Sequence, residues 1–337
     1  MRILYAIQGT GNGHLSRALD IIPCLQKHGE VDILVSGIQG DLPLPYEIKF
    51  RFKGLSFIFG KSGGVDLWKT FARTNIRKLI KNINSLPVEQ YDLVINDFEP
   101  VSAWACYLKN VECIALSHQS AVLNKKYAQP DAIDNIGKLI LQNYAPASIS
   151  YGFHFQSNNS TIFTPVIRQQ VRHHEISDLG HYTVYLPSFD DNTLVKMLSE
   201  YDDIRWHVFS KHNKKKTVYK NITIQPIDNP LFTESMASST GVLCGAGFET
   251  PAEALFLGKK LLVIPMKNQY EQQLNAAALR AMSVTVVKSF KRKYQPIISW
   301  WLTEGKSIQV NYPDMTQNIV DMLVLRHTEV PADLARF

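Results

Sequence analysis

Cysteine is scarce in this 337-residue chain, which has four cysteines and no CxxC pair. So few thiols argue against a disulfide framework and favour reduced cysteines in the cytoplasm. No apolar run reaches the roughly 18 residues that a membrane-spanning helix needs, and the chain starts with a short apolar strand and not with a secretion signal. The ten histidines show no metal-ligand spacing, so we expect no metal site.

Short apolar runs alternate with segments of helical period along the whole chain, which is typical of parallel, doubly wound α/β sheets. The pattern restarts near Pro165, so we predict two Rossmann-like domains, residues 1–164 and 165–313, followed by a last helix and tail at 314–337. Strands are predicted at 2–7, 31–35, 46–60, 92–96, 111–116, 148–155, 160–163, 182–186, 204–209, 222–225, 241–244, 260–264 and 284–287.

The stretch Gly245–Gly258 lies between two of these strands and carries a glycine-rich turn that opens a helix. Small residues let backbone N–H groups approach a ligand closely, and a helix start favours anions. Glu253 follows about one turn later, within reach of hydroxyl groups on a ligand held there. The pattern therefore predicts a site for a ligand with both phosphate and sugar, with a plain glycine-capped turn as the alternative.

Two loops of the first half suggest a base and its support. Gly9–His14 is not the dinucleotide fingerprint, because His14 stands in place of the third glycine. The positive end of a helix lowers the pKa of a histidine, and a neutral imidazole can act as general base. Asp97, which follows a buried strand, is the carboxylate that would orient it. The alternatives are an incidental histidine and a helix N-cap aspartate.

Two further polar segments follow strand ends, where ligands bind in open parallel sheets. Ser117-His118-Gln119 suits acceptor contacts through His118 and Gln119. Pro265–Ala276 carries amides and Glu271 that suit hydrogen bonds to sugar hydroxyls. Ordinary capped helices with exposed polar side chains are the alternative reading of both segments.

The net charge of +6 is concentrated between Lys49 and Lys81, where nine basic residues face one acid. Aromatic and apolar residues interleave with these cations, which suits an anionic acceptor or an anionic membrane face. A solvated helix face is the alternative. A second cluster, Lys211–Lys216, we interpret as solvated, and we expect no nucleic-acid partner.

Together these motifs resemble GT-B-fold glycosyltransferases, in particular the group that contains the lipid-II-forming N-acetylglucosaminyltransferase and the UDP-glycosyltransferases. Gly247, Thr250 and Glu253 match the donor signature G-x-x-[ST]-x-x-E. Glu271-Gln272-x-x-Asn275-Ala276 matches the end piece [DE]-Q-x-x-N-A. Gly9–His14 resembles the first loop of these enzymes, and Asp97, followed by Trp104, resembles the loop whose aspartate supports the catalytic histidine.

The resemblance implies an inverting transfer from a nucleotide sugar, expected to be a UDP-sugar, to an acceptor hydroxyl, without metal or cofactor. It implies His14 as base and Asp97 as its partner. It implies that the first domain binds the acceptor and that the last helix returns to that domain. The implied donor-binding residues are Gly11, Asn12, Ile227, Gly245, Ala246, Gly247, Phe248, Glu249, Thr250, Glu253, Asn268, Glu271, Gln272 and Asn275.

One departure is Gly245, which stands where many UDP-glycosyltransferases place a histidine against the diphosphate. Two rivals stay open: a nucleotide-sugar 2-epimerase of the same fold and a non-catalytic sugar-nucleotide-binding protein. A dehydrogenase is disfavoured, because neither glycine-rich loop has dinucleotide spacing.

Overall fold

The computed structural model describes residues 1–37, 44–54, 75–124, 126–130, 134–157 and 160–328. Within these ranges the apolar runs form two seven-stranded sheets, one in each half of the chain. The predicted class, two Rossmann-like α/β domains with mostly parallel sheets, is confirmed.

The first sheet is parallel throughout, with the order β3-β2-β1-β4-β5-β6-β7. Its central strand is buried from Ile3 to Gln8, as a strand covered by helices on both faces requires. The strands are β1 Arg2–Gln8, β2 Glu30–Ser36, β3 Phe50–Phe52, β4 Leu93–Asp97, β5 Ile114–Ser117, β6 Ile149–Phe153 and β7 Ile162–Phe163.

Helices cover both faces of this sheet. The first helix buries Leu15, Ala18 and Ile22 on one face and continues through Pro23, whose missing N–H removes one helical hydrogen bond. The helices of the first half are α1 Gly13–Gln26, α2 Ile76–Ser85, α3 Pro100–Lys109, α4 His118–Val122 and α5 Asn135–Asn143.

The second sheet has the order β10-β11-β9-β8-β12-β13-β14 and is parallel except for the pair β10–β11. This antiparallel hairpin turns at Lys220, where φ is +52°, and it was not predicted from the sequence. The strands are β8 His181–Tyr185, β9 Arg205–Ser210, β10 Thr217–Tyr219, β11 Ile222–Pro226, β12 Gly241–Gly245, β13 Lys260–Ile264 and β14 Thr285–Val286.

Four helices of the second half, those beginning at Asp191, Asn229, Glu249 and Tyr270, each follow the carboxyl end of a strand of this sheet. The helices of the second half are α6 Gln169–Arg172, α7 Asp191–Leu198, α8 Asn229–Ser238, α9 Glu249–Phe256, α10 Tyr270–Ala281, α11 Gln295–Glu304 and α12 Thr316–Thr328.

The last helix returns to the first domain, as the resemblance implied. Val320 and Leu323 are fully buried in an apolar cluster that also contains Ile22 of α1. At the surface, Lys27 Nζ donates to Gln317 Oε1 over 2.7 Å, and His28 lies 2.7 Å from Asp321. The chain therefore crosses from the second domain back to the first at its last helix.

The basic stretch 49–81 is only partly described. Its first residues include β3 and its last residues form the beginning of α2, whereas 55–74 lie outside the described residues, including the first nine residues of a helix that the sequence predicts over 66–85. The whole of the described chain contains no helix with the length and apolar character that a bilayer crossing requires.

Candidate active site

The two sheets present their carboxyl ends to a common cleft, where polar groups of the two domains meet. Gln119 Nε2, after β5, donates to Glu271 Oε2 over 3.1 Å, and in the adjoining buried interface His118 Nε2 lies 2.7 Å from Asn275 Oδ1. The predicted rim segments of the first domain therefore face those of the second.

His14 and Asp97 form a direct pair, although 83 residues separate them in the chain. His14 is at the start of α1 and Asp97 ends β4, so the parallel strands β1 and β4 bring them together. The Nδ1–Oδ1 distance is 2.8 Å. Because the carboxylate accepts from Nδ1, the neutral ring carries its free lone pair on Nε2, which lies 3.5 Å from Gln119 Nε2 in the cleft.

The alternative role of Asp97 as a helix cap is taken by its neighbour Glu99. Both oxygens of the buried Glu99 carboxylate accept backbone N–H groups of α3, from Val101 and Ser102. Asp97 makes no cap hydrogen bond to α3 and pairs instead with His14.

Arg17 completes the pair and was missed by sequence reasoning. One turn after His14, its Nη2 lies 2.7 and 2.8 Å from the two oxygens of Asp97, and its Nε lies 3.2 Å from Oδ2. The side chain is 1% exposed. An arginine on the buried face of α1 needs a carboxylate partner, and that is the one signal that could have indicated it.

The pKa values of this cluster follow from burial and charge. Burial lowers the pKa of His14, but the charge and hydrogen bond of Asp97 outweigh it, so the pKa is raised. Burial raises the pKa of Asp97, but Arg17 and His14 outweigh it, so the pKa is lowered. The expected lowering of the His14 pKa by the helix start is therefore not found, because Asp97 dominates.

The glycine-rich turn after β12 leads directly into α9. Phe248 at the N-cap position gives no side-chain hydrogen bond to the first turn, so the backbone N–H groups there have no side-chain cap. A Cβ atom on Gly247 would meet nothing within 4 Å, which shows open space beside the turn. Ala246 is buried, whereas Gly245 and Thr250 are half-buried at the surface of the cleft.

Glu249, the first residue of α9, crosses the cleft. Its carboxylate accepts from Arg17 Nη1 and lies against Gly13, so any side chain on Gly13 would collide with it. The same arginine thereby pairs with Asp97 in the first domain and with Glu249 in the second.

Glu253 lies deeper in α9 and is 2% exposed. Its two oxygens accept from Nε and Nη2 of Arg168 over 2.5 and 2.7 Å, and Arg168 also donates to Asn229. In this conformation the carboxylate predicted to bind ribose is engaged by an arginine of the interdomain segment.

The start of α10 holds the predicted sugar-binding residues. Gln272 Oε1 accepts from the backbone N–H of Met266 over 2.9 Å and lies beside Gly245. Glu271 faces the first domain, and burial raises the pKa of its carboxyl group despite the Gln119 hydrogen bond. Gln272 thus lies at the glycine-rich turn, whereas Glu271 contacts Gln119, which in turn contacts His14.

The profile of glycosyl transferase family 1 matches residues 1–295, which is most of the chain. The chain belongs to glycosyl transferase family 1. A search of curated protein sequences found no match.

Several solved structures have the same fold as this chain. MurG of Acinetobacter baumannii matches with a TM-score of 0.56 and 15% identity over 95% of this chain and 98% of that chain. Arabidopsis thaliana UGT89C1 complexed with UDP matches with a TM-score of 0.57 and 12% identity over 97% and 100%. The glycotransferase of kitacinnamycin matches with a TM-score of 0.55 and 12% identity over 97% and 95%. These likenesses confirm the GT-B fold.

Two predicted ligand contacts of the glycosyltransferase lie inside the domain interface. His118 is 1% exposed and stacks on Phe248 of the second domain with ring centroids 3.8 Å apart. Burial lowers its pKa to about 4. Asn275, which is fully buried, donates to Ala246 O over 3.1 Å and contacts His118. In this conformation both residues join the domains and do not face the cleft.

A cavity of about 110 Å³ opens directly at His14 and is lined by both domains. Two of its lining residues have left-handed backbones although they are not glycine, Phe98 with φ +56° and Asn268 with φ +59°. Such strain clusters at functional sites. Phe98 was not predicted as a site residue, whereas Gln119 and Asn268 were.

The remaining predicted residues lie around the same cleft. Gly11 has φ +90°, a conformation that favours glycine, and Asn12 precedes α1. Ile227 is half-buried and follows β11. Across the described residues, no group of three or more histidine, cysteine, aspartate or glutamate side chains is arranged to hold a metal ion.

Proposed function

We propose that this protein is an inverting glycosyltransferase that moves a hexosyl or N-acetylhexosaminyl group from a UDP-sugar to an acceptor hydroxyl. The observation that carries the proposal is the His14–Asp97 pair, whose Nε2 faces the cleft within 3.5 Å of the Gln119 amide, opposite the glycine-rich turn and the start of α10. A base and a phosphate-friendly helix start on opposite walls suit a direct displacement between them.

In the proposed step, His14 Nε2 takes the proton of the acceptor hydroxyl as its oxygen attacks the anomeric carbon. The new C–O bond forms while the bond from the anomeric carbon to the diphosphate breaks, and the nucleoside diphosphate leaves with the electron pair. A single displacement inverts the configuration. Asp97 holds the imidazole in orientation and stabilises the imidazolium that forms.

The donor diphosphate is proposed to lie at the start of α9. Support comes from the uncapped N–H groups of the first turn, the open space at Gly247 and the hydroxyl of Thr250. A helix N-terminus attracts anions, so we propose a transfer that needs neither metal nor cofactor. Ile227 is proposed to contact the nucleotide base of the donor. Glu271 and Gln272 are proposed to contact the donor sugar. Undiminished turnover in excess EDTA is the expected result.

The ribose is proposed to bind at Glu253. Because Arg168 engages both carboxylate oxygens in this conformation, the ribose hydroxyls must share or displace that contact. The Arg168 guanidinium is proposed to stay beside the bound donor in either case, where its positive charge would face the diphosphate. Replacing Glu253 by alanine is expected to weaken UDP binding, and unchanged binding contradicts the assignment.

The acceptor is proposed to enter the cavity at His14. Its walls combine hydrogen-bonding groups such as Gln8 and Gln119 with the apolar Phe98, Ile140 and Leu141, so an acceptor with an apolar part is favoured. We propose that the stretch 49–81 contacts an anionic or lipid-linked acceptor at the inner face of a membrane. In its described part, α2 exposes Ile76 and Ile80 one turn apart beside basic residues. Equal binding to neutral and anionic vesicles contradicts this contact.

The deciding experiment has two parts. Thermal unfolding is followed with UDP, GDP and TDP, with the sugar conjugates of these three nucleotides, and with NAD. A ligand that binds the folded state raises its stability according to its affinity. Sugar transfer or UDP release is then compared between the parent, His14→Ala and the control His212→Ala, which changes an exposed histidine of the second domain. We expect turnover to fall by about 10² to 10⁴ in His14→Ala alone. Full turnover in His14→Ala removes the proposed base.

The same experiment separates the rival functions. A 2-epimerase consumes the nucleotide sugar without an acceptor, and a non-catalytic binding protein shows stabilisation by UDP-sugar without turnover in any variant.

A further inference from the structure

A second cavity, of about 530 Å³, is lined by none of the residues that are proposed to act in the transfer. It opens at the carboxyl ends of β8, β13 and β14, through the segments 188–189, 265–267 and 288–291, and α10 closes one side. None of the proposed diphosphate- or ribose-binding residues lines it. Ligands of open parallel sheets bind at such strand ends. We call this cavity the basic crevice.

The rim of the basic crevice carries four cations. Lys267, Arg280, Lys288 and Lys291 all line it, and all are exposed. Ser188, Ser289 and Gln273 add hydrogen-bond donors. No acidic residue is among its described lining residues. Several positive charges around one concave surface raise the local concentration of anions.

The floor of the basic crevice is apolar. Phe290 is 4% exposed and packs edge-on against Phe189, with ring centroids 5.8 Å apart. Ile264 and the two alanines of α10, Ala276 and Ala277, complete the surface. A site for a bare inorganic anion needs no such floor, whereas burial of an apolar body on it contributes binding free energy.

We propose that the basic crevice binds an organic anion, a phosphate or sulfate ester whose carbon body is apolar or aromatic. The charged group lies among the rim cations and the body lies on the phenylalanine floor. Two sources have this chemistry: a charged part of the acceptor, since Pro130 of the first domain also lines the crevice, and a separate anionic molecule.

Binding is tested on the full chain by calorimetry with 1-naphthyl phosphate as the probe. Inorganic phosphate and 1-naphthol, which each carry half of the chemistry, are expected to bind more weakly. The variant Lys267→Gln with Lys291→Gln removes two rim charges and is expected to weaken binding about tenfold. The matched control, Lys214→Gln with Lys215→Gln, removes two exposed charges elsewhere in the same domain and is expected to leave binding unchanged.

A second variant, Ser289→Glu, places a negative charge in the basic crevice and is expected to weaken binding of the probe as well. Equal affinity in all variants, an equal loss in the control, or displacement of the probe by saturating UDP overturns the proposal. These measurements require no turnover, so the basic crevice can be established even if the proposed transferase activity fails.

The source is decided by kinetics. If the ligand is part of the acceptor, the double lysine variant raises the KM of an anionic acceptor and leaves the KM of the nucleotide sugar unchanged. If it is a separate molecule, 1-naphthyl phosphate changes turnover without competing with the acceptor. Either outcome supports the basic crevice as a functional site. Absence of both effects in an active enzyme contradicts a role of the crevice in the reaction, whereas binding itself is decided by the calorimetry.

Discussion

The His14–Asp97–Arg17 cluster makes a prediction about pH that a merely structural cluster would not make. Asp97 raises the pKa of His14, and Arg17 lowers it. Because the base must be neutral, turnover falls as the pH drops through the His14 pKa. Asp97→Asn therefore moves this acid limb to lower pH, and Arg17→Met moves it to higher pH.

The magnitudes differ between the two variants. Asp97→Asn removes the carboxylate that orients the imidazole, a loss of about 10⁴ in kcat in an enzyme with an orienting carboxylate. Arg17→Met leaves Asp97, which is fully buried, with His14 as its remaining partner in the described cluster. Breaking a buried ion pair on one side costs about 3–5 kcal/mol of stability. We expect Arg17→Met to lose more stability than Asp97→Asn but less kcat.

The assay is UDP release from the nucleotide sugar across about pH 5 to 9, with urea unfolding of each variant at neutral pH. Arg326→Met, the same substitution at an exposed position of α12, is the control and should change neither turnover nor stability. Acid limbs that move in the same direction, or do not move, refute the electrostatic link between Arg17 and the base. A stable and fully active Arg17→Met refutes the role of the buried pair.

Three further predictions concern the second domain and the interface. Gly247→Ala should change the free energy of unfolding by no more than about 1 kcal/mol, because its Cβ meets open space, yet weaken UDP binding roughly tenfold in calorimetry. The lowered pKa of His118, about 4, gives stability that is fully present above pH 6.5 and is lost as the pH falls towards 4, a loss of about 3 kcal/mol. His118→Gln should therefore reduce the pH dependence of the urea unfolding midpoint between pH 6.5 and 4. Glu249→Gln should strengthen UDP binding several-fold at low salt. The substitution removes one of the two carboxylates that pair with Arg17, so the positive charge of Arg17 attracts the diphosphate more strongly.

Much of the fold could be predicted because burial on both faces writes parallel strands as continuous apolar runs. The strand Lys260–Ile264 was predicted to the residue, and most other described strands to within one or two residues. The hairpin strand Thr217–Tyr219 was missed, since it is short, exposed and next to the lysine-rich loop. Edge strands with so little burial leave almost no hydrophobic pattern.

The site was harder to predict where it depends on contacts between distant residues. His14 and Asp97 could be paired from the rule that ligands bind at carboxyl ends of parallel strands. Arg17 could not, because its partners Asp97 and Glu249 are 80 and 232 positions away, and an arginine in a helix is by default a surface residue. His118 was expected at a ligand because it follows a strand end, and Asn275 because it matches the family motif, whereas the packing of the two domains buries both residues.

The sequence left a puzzle in Glu249, a carboxylate beside the proposed diphosphate site. The structure turns this side chain across the cleft to Arg17, so its charge is neutralised away from the open side of the turn. Arg17 then balances two carboxylates, one on the proposed base and one on the proposed donor loop. We infer that a diphosphate bound as proposed at the start of α9 adds a third anionic group to the surroundings of this guanidinium. Because charges in a poorly hydrated cluster interact strongly, such a diphosphate is expected to alter the electrostatic field at His14. The protonation of His14 is therefore expected to depend on the presence of the donor, through Arg17.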